Sequence, residues 1–252
     1  MKNKVVKYLS FGLKNKTGVN FSGHRTVLSK GSGKSKRKFR LIDFKRSIMV
    51  PGIILRIEYD PNRSCNIALV CYKNGFLSYI IAVNGMRENM FINTGFLMSG
   101  AVKKLNDFGL GSFICCVELR KNSGAKISRS AGCFSVVLSR VDGNKVCLRL
   151  PSGEERVLKG ENSAVLGVIS NIQKKFKKKR KASDNIFLGK KPVVRGVAKN
   201  CVDHPHGGGR GKTSPLVLAS NFTRRVLKGV PTVKFKKMNK RKIWVLKERK
   251  YK

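Results

Sequence analysis

The middle of the chain alternates short apolar runs with turn residues, a pattern that predicts β-strands rather than helices. Gly52–Tyr59 is rich in β-branched residues, and runs at 66–72 and 77–83 flank an Asn74-Gly75 step that favours a tight hairpin. Further strands are predicted at 113–119, 133–139, 145–150, 154–158 and 164–170. Strands of this length and spacing are typical of all-β barrels or sandwiches.

A Gly-rich stretch with weak patterning, residues 93–111, predicts a junction within this series. We therefore expect two small barrels, at about 43–104 and 105–172. Each is near the lower size for independent folding, so we expect them to be supported by packing against each other or by a bound partner.

The charge of the 252-residue chain, formally +42, lies mostly at its two ends. Residues 1–42 hold 12 Lys or Arg and no acid, and residues 173–252 hold 26 basic and 3 acidic residues. The middle is more balanced, and a hydrophobic content of 41% is enough for a core. The C-terminal end cannot bury a core of its own, and both ends repel themselves, which predicts a polyanion that orders them.

Nucleic acid is the expected polyanion, and an anionic membrane surface is the alternative. A membrane partner requires an amphipathic helix with a broad apolar face or lipid anchors, and the sequence shows neither, so no membrane anchor is expected. The acid-free beginning resembles a mitochondrial transit peptide in charge, but it is poor in Arg and continues into the basic cluster 34–38. We interpret it as a basic arm that the mature protein keeps.

The seven cysteines lie mostly in strand-like apolar runs, and their number is odd. This favours reduced, buried thiols in a reducing compartment. Cys115 and Cys116 would point to opposite faces of the predicted strand 113–119, which argues against joint metal ligation.

Three basic runs, at 34–40, 174–181 and 234–242, suit RNA phosphates. Aromatic residues that could stack on unpaired bases lie in or beside these runs, and they are Phe39, Phe44, Phe176 and Phe235. The alternative for any single run is a solvated charged surface.

A second candidate is the loop His204-Pro205-His206 with three glycines and Arg210 after it. Glycines allow close approach of the backbone, their N–H groups can point at phosphate or ribose oxygens, and imidazoles can bind bases or the 2′-hydroxyl. The rival interpretations are a metal site using Cys201 with both histidines, a hydrolase with a histidine base, and a flexible linker. Walker spacing for a P-loop is absent.

Several segments carry a family resemblance. PVVRGVAKNCVDHPHGGG at 192–209, YDPNRSCNIALV at 59–70, IDFKR at 42–46, RSAG at 129–132 and LRLPSGE at 148–154 occur in the same order as in that family. The chain thus resembles large ribosomal subunit protein two, of the bacterial and organellar type, over roughly residues 24–252.

The resemblance implies an all-β fold: a basic N-terminal arm (1–42), an oligonucleotide-binding-type barrel (43–104), an SH3-like barrel (105–172) and an extended basic C-terminal tail that penetrates rRNA (173–252). It implies a structural binder of large-subunit rRNA near the peptidyl-transferase region, which supports rRNA folding, subunit association and translation. The expected partners are that rRNA, neighbouring ribosomal proteins and the small subunit at the intersubunit face. No enzymatic activity and no intrinsic cofactor are expected, apart from Mg²⁺ associated with the rRNA.

The predicted rRNA contacts are Lys36, Arg37, Lys38, Arg40, Lys45, Arg46, Arg63, Arg129, Arg195, His204, His206, Gly207, Gly208, Gly209, Arg210 and Lys212. For Arg63 and Arg129 the alternative is a local turn or surface charge. The chain departs from the family pattern at Gly31–Lys36, which lacks a histidine, and at Arg210, which replaces a glutamate.

The excess of Lys over Arg, 36 against 19, with many Asn, Ile and Phe, is typical of an AT-rich genome. Without a cleavable presequence, this favours a mitochondrial ribosome, with a plastid or a bacterial cytoplasm as alternatives. Two other functions stay open: a free RNA chaperone or nucleoid-type protein, and a hydrolase that uses the histidine loop.

Overall fold

A computed structural model describes residues 6–12, 17–31, 38–46, 48, 50–93, 98–141, 143–210, 217–227 and 244–248. The chain divides into two compact units. The first comprises Met1–Lys14, Ser35–Lys181 and Trp244–Lys252, and the second comprises Asn15–Lys34 and Ala182–Ile243.

The first unit begins with a two-stranded ribbon and a four-stranded antiparallel sheet. Strands β1 (Ser10–Gly12) and β2 (Lys38–Arg40) form the ribbon. The sheet contains β3 (Gly52–Tyr59), β4 (Asn66–Tyr72), β5 (Leu77–Ile81) and β6 (Phe91–Ile92), in the order β5-β4-β3-β6. The predicted hairpin between β4 and β5 is confirmed: Gly75 has a φ of 80°, and its N–H donates to the carbonyl of Tyr72.

The second sheet of this unit has seven strands. It contains β7 (Val102–Lys104), β8 (Phe113–Cys115), β11 (Ser135–Val141), β12 (Lys145–Arg149), β13 (Glu155–Lys159), β14 (Ser163–Leu166) and β15 (Val245–Lys247), in the order β15-β13-β12-β11-β8-β14-β7. A separate ribbon pairs β9 (Val117–Glu118) with β10 (Ala125–Ile127). The predicted all-β class, with an oligonucleotide-binding-type barrel followed by an SH3-like barrel, is confirmed.

The apolar residues of both barrels share one core. Its largest cluster joins Ile54, Val70 and Ile80 of the first sheet to Val165 of the second and to Ile169 beyond it. A second cluster fills the SH3-like barrel around Leu105, Ile114 and Leu148. The expected support of each small barrel by the other is therefore present as buried apolar contact.

The strand predicted at 113–119 is interrupted, so the expected placement of Cys115 and Cys116 on one continuous strand is wrong. β8 ends at Cys115, Cys116 has a φ of 50°, and β9 begins at Val117. The N–H of Cys116 donates to the carbonyl of Ser128 over 3.0 Å, which holds this turn. Side chains stop alternating where the backbone leaves the extended region, and both thiols are buried.

Helical structure is sparse. The described residues contain 3-10 turns at Leu105–Asp107, Ile172–Lys175 and Gly196–Ala198 and one short helix, α1 (Ala182–Phe187). No helix in the described ranges has the length and apolarity needed to span a membrane. Within the predicted tail, β15 returns to pair with β13.

Candidate nucleic-acid interface

The basic N-terminal arm joins the first barrel through β2. Lys38 is exposed at the first position of β2, whereas Arg40 is buried at the last. The Arg40 guanidinium lies 3.6 Å from the Asp60 carboxylate and 3.9 Å from the Glu58 carboxylate. A buried cation balanced by two carboxylates contributes to the fold, while Lys38 keeps its ammonium in solvent.

Sequence reasoning missed the carboxylate at the centre of this cluster, Glu58. Both of its oxygens lie 3.1 Å from the Tyr79 hydroxyl, and Oε1 accepts a 2.6 Å hydrogen bond from Arg56 Nε. Burial, and then the Glu58 charge, raise the pKa of Tyr79. The available signal was an acid inside the apolar run 52–59, where an inward position demands a cationic partner.

The segment with Lys45 and Arg46 is a turn held by Asp43. The Asp43 carboxylate accepts the backbone N–H groups of Lys45 and Arg46 at 2.9 and 3.0 Å. The Lys45 side chain is exposed, but Arg46 is buried, and its Nη2 donates to the Gly100 carbonyl at 3.4 Å. Burial lowers the pKa of the Arg46 guanidinium. Of these two predicted contacts, only Lys45 presents its charge to solvent.

Arg63 and Arg129, from two separate motifs, meet at the ring of Phe44. Their guanidinium carbons lie 5.0 and 5.1 Å from the ring centroid, within the range of cation–π attraction. Arg63 also pairs with Asp60, with 3.3 Å between Nε and Oδ2. Arg129 is exposed, and no carboxylate of the described residues lies within 4.0 Å of it. We call the Arg63–Phe44–Arg129 arrangement the arginine seam.

Hydrogen bonds between the two motifs fix the backbone around the arginine seam. The Ala131 N–H donates to Ser64 Oγ at 3.1 Å, and the Asn171 amide donates to the Ser64 carbonyl at 2.7 Å. The Cys65 thiol lies 3.6 Å from the Arg129 carbonyl. The backbone of YDPNRS is therefore tied to that of RSAG, although 67 positions separate Ser64 from Ala131 in the chain.

The histidine loop, residues 195–210, belongs to the second unit. Arg195 is exposed and precedes the 3-10 turn Gly196–Ala198. The His204 ring lies against Gly196 so closely that a Cβ at 196 would overlap its imidazole. Gly196 is needed here because its missing side chain makes room for the ring.

Two of the three consecutive glycines approach the chain itself. The Gly207 N–H donates to the His204 carbonyl at 2.9 Å, and the Gly208 N–H donates to the Lys199 carbonyl at 3.0 Å. A Cβ on Gly208, whose φ is 86°, would collide with Cys201 Sγ. The expectation that these N–H groups point at phosphate or ribose is therefore wrong for Gly207 and Gly208, because the loop uses them to close on itself. Gly209 is exposed.

His204 and His206 are engaged in the same closure. The centroids of their rings lie 4.9 Å apart, edge to face, and the backbone N–H of His206 donates to His204 Nδ1 at 3.0 Å. Partial burial, followed by the charges of His206 and Lys199, lowers the pKa of His204. The described residues contain no group of three or more His, Cys, Asp or Glu that could hold a metal ion.

His206 also connects the loop to a later segment. Its Nε2 lies 3.3 Å from the backbone N–H of Ser220 and 3.2 Å from the Ser220 hydroxyl. A serine beside an imidazole is the pair that hydrolases use, but Ser220 is buried and the imidazole nitrogen receives its backbone N–H as well. The pair therefore connects the histidine loop to the segment at Ser220.

Some of the remaining predicted contacts are exposed, and the others lie outside the residues that the structure describes. Arg210 is exposed, and so is the whole basic run 174–181, in which Phe176 is 75% exposed. Lys36, Arg37 and Lys212 lie outside the described residues, as do the run 234–242 and Phe235.

Two family models match most of the chain. Residues 6–94 match the RNA-binding N-terminal domain of ribosomal proteins L2, and residues 98–222 match their C-terminal domain. The two arginines of the seam therefore fall in different domain matches.

Individual relatives carry the same family name. The chain is 46% identical over 217 residues to large ribosomal subunit protein uL2 of a Wolbachia from Brugia malayi, covering 84% of this chain and 78% of the relative. It is 41% identical over 246 residues to protein uL2m of Reclinomonas americana, covering 95% of this chain and 87% of the relative. Protein uL2 of Sphingopyxis alaskensis is 42% identical over 218 residues, with 84% and 77% covered.

Proposed function

Since the chain belongs to the uL2 family of large ribosomal subunit proteins, we propose that it binds large-subunit rRNA near the peptidyl-transferase region. As a member of this family it is a structural constituent of the large subunit, with an RNA-binding N-terminal domain and no enzymatic role. Its partners are rRNA and other ribosomal proteins. The finer roles that we propose are support of rRNA folding, subunit association and contact with the small subunit.

The observation that carries the proposal is the distribution of charge over a folded core. A net charge of +42 is concentrated at the two ends, while the barrels have a shared apolar core. Each cation that neutralises a phosphate releases counterions, so binding to RNA lowers the free energy of the arms that otherwise repel themselves. We further propose that Mg²⁺ in this assembly is held by rRNA phosphates and that the protein has no membrane anchor.

We place the protein in a mitochondrial ribosome, with plastid and bacterial cytoplasm as the alternatives. The alignment with the mitochondrial uL2m relative extends over 95% of this chain, which supports that placement. The Lys-rich composition of the chain, which is typical of an AT-rich genome, supports the mitochondrial placement as well.

Sedimentation of the tagged protein tests this function. In gradients containing Mg²⁺, the protein should migrate with ribosomes, and after removal of Mg²⁺ it should follow the large subunit. Recovery mainly at the top of both gradients would favour a free RNA chaperone or nucleoid-type protein. Mass spectrometry of purified mitochondrial ribosomes tests the location, because absence of the protein from them while it is present in plastid or cytoplasmic ribosomes would overturn the placement.

A further inference from the structure

We propose that the arginine seam is one composite phosphate-binding site for RNA, in which Phe44 is the positioning residue for the Arg129 guanidinium. This inference rests on the proposed RNA-binding function and adds to it a site built by both barrels. Phe44 and Arg63 come from the first barrel, and Arg129 comes from the second.

The arginine seam has more positive than negative charge. Asp60 serves Arg63 and Arg40 together, so its single negative charge is shared between two cations. Arg129 faces solvent without a carboxylate partner among the described residues. The seam therefore carries uncompensated positive charge, and an RNA phosphate supplies the anion that matches a guanidinium fork.

The protein's own contacts hold the arginine seam in place before RNA binds. Phe44 is half-buried against the shared core, and its carbonyl accepts the Ala125 N–H at 2.8 Å, so the ring is anchored to both barrels. The contacts from Ser64 to Ala131 and Asn171 fix the backbone beside each arginine. An exposed arginine ordinarily loses side-chain entropy when it binds, and a ring that already orients the guanidinium reduces that loss.

The Phe44 ring orients the arginines rather than binding RNA itself. An exposed aromatic ring could stack on an unpaired base. The guanidinium carbons of Arg63 and Arg129, however, already lie 5.0 and 5.1 Å from the centroid of the Phe44 ring. The two roles differ in salt dependence. Loss of a stacked base lowers affinity without changing the number of counterions released, whereas loss of a positioned phosphate contact lowers that number.

The test measures the binding of the full-length protein to large-subunit rRNA purified from the same cells, over a series of salt concentrations. Arg129→Gln should reduce the slope of log K against log salt by about 0.7 to 0.9, the value for one phosphate. Phe44→Leu should reduce the slope by a similar amount although it removes no charge. Phe44→Tyr, which keeps the ring, should restore the wild-type slope.

Two further variants make the result specific. The double variant with Phe44→Leu and Arg129→Gln should have the slope of Arg129→Gln alone, because both changes remove the same contact. The matched control is Phe113→Leu, an exposed aromatic that pairs edge to face with Phe134, and it should leave the slope unchanged. If Phe44→Leu does not fold, Phe44→Met provides apolar volume without a ring.

The outcomes separate the inference from the function on which it rests. Wild-type protein that binds rRNA, with a Phe44→Leu slope equal to wild type, overturns the composite site and leaves the RNA-binding function intact. Weaker binding at an unchanged slope assigns Phe44 to base stacking and also overturns the inference. Wild-type protein without salt-dependent rRNA binding overturns the proposed function itself.

Discussion

The arginine seam and the histidine loop are both made of predicted RNA-contact residues, but they are ordered by different forces. The seam lies on barrels with three apolar clusters, and its side chains are held by contacts between distant segments. The loop has no apolar cluster among the described residues of its unit and is closed by backbone hydrogen bonds, two imidazoles and glycines. The seam can therefore form before RNA arrives, whereas the loop has little burial to offset its ordering entropy.

This contrast predicts that substitutions in the first unit change the stability of the free protein, whereas substitutions in the loop change assembly. It also assigns a structural role to Arg40, whose guanidinium faces two buried carboxylates.

Glu58→Gln should cause the largest loss of stability in the RNA-free protein. It removes one of the two carboxylates that balance the buried Arg40 and also the charged acceptor of the Arg56 Nε–H, and breaking a buried ion pair costs roughly 3 kcal/mol. Denaturant unfolding measures this loss as a lower midpoint. Glu161→Gln is the matched control, because Glu161 pairs with Lys121 at an exposed position, and its midpoint should stay near wild type. Equal midpoints for the two variants would contradict a structural role of the Glu58 cluster.

Gly208→Val, unlike Glu58→Gln, should impair assembly without destabilising the barrels. Its side chain would require a strained backbone, at a cost of about 1 to 3 kcal/mol, and would collide with Cys201. The unfolding midpoint of the barrels should remain unchanged while incorporation into large subunits falls, as measured in ribosome gradients. Gly23→Val is the control, since Gly23 has a φ of 80° but no atom within 4 Å of its Cβ position. Normal subunit maturation with Gly208→Val would count against the close packing of the loop.

The histidine loop should also respond to pH, and the barrels should respond less. Because the folded pKa of His204 is lowered, the disordered loop takes up a proton first. Loop stability is therefore complete above the ordinary histidine pKa of about 6.5 and declines as the pH falls below it. The opening of the loop, measured by hydrogen exchange of the Gly207 and Gly208 amides, should therefore become more frequent as the pH falls.

His204→Asn separates the proton from the contact. The side-chain amide oxygen of Asn can replace His204 Nδ1 as the acceptor for the backbone N–H of His206. The amide does not titrate in this pH range. The pH dependence of amide exchange should disappear in this variant. Retention of the full pH dependence would assign it to another group.

The smallest expected effect concerns β15, where the sole tryptophan provides a direct signal. Lys145 Nζ lies 5.1 Å from the centroid of the Trp244 ring, and the Trp244 carbonyl accepts the Val157 N–H. Lys145→Gln should lower the stability of the pairing between β13 and β15 by about 0.5 kcal/mol and shift the emission of Trp244 during unfolding. Lys126→Gln, an exposed substitution on β10, should have neither effect.

Much of the first unit was predictable because its elements depend on local patterns. The Asn74-Gly75 step predicted its hairpin, and the β-branched run predicted β3 with its observed bounds. The break at Cys116 was not predictable, since it depends on a hydrogen bond to Ser128 that the local apolar pattern does not encode. The domain bounds 1–42, 43–104, 105–172 and 173–252 and the set of rRNA contacts stay predictions.

The candidate site was predictable in residue type and less so in role. Arg40 belongs to a basic run and Arg63 to the segment YDPNRS, and only the folded chain brings Arg40 beside the Asp60 that also pairs with Arg63. Glu58 was not predicted, because an acid within an apolar strand indicates that it has a cationic partner but not which residue that partner is. The glycines were expected to let the backbone approach a ligand closely, whereas the atoms that lie closest to Gly207 and Gly208 in the structure are the chain's own.

The sequence by itself determined the fold class, the family and the excess of positive charge, because turn chemistry, alternation and charge are properties of neighbouring residues. Only the tertiary structure decided which cations are neutralised and which face solvent, since Glu58 and Asp60, which are distant from Arg40 in the chain, balance its charge, whereas no described carboxylate balances Arg129. Ion pairing depends on distance and burial, and the fold sets both of these across long separations in sequence.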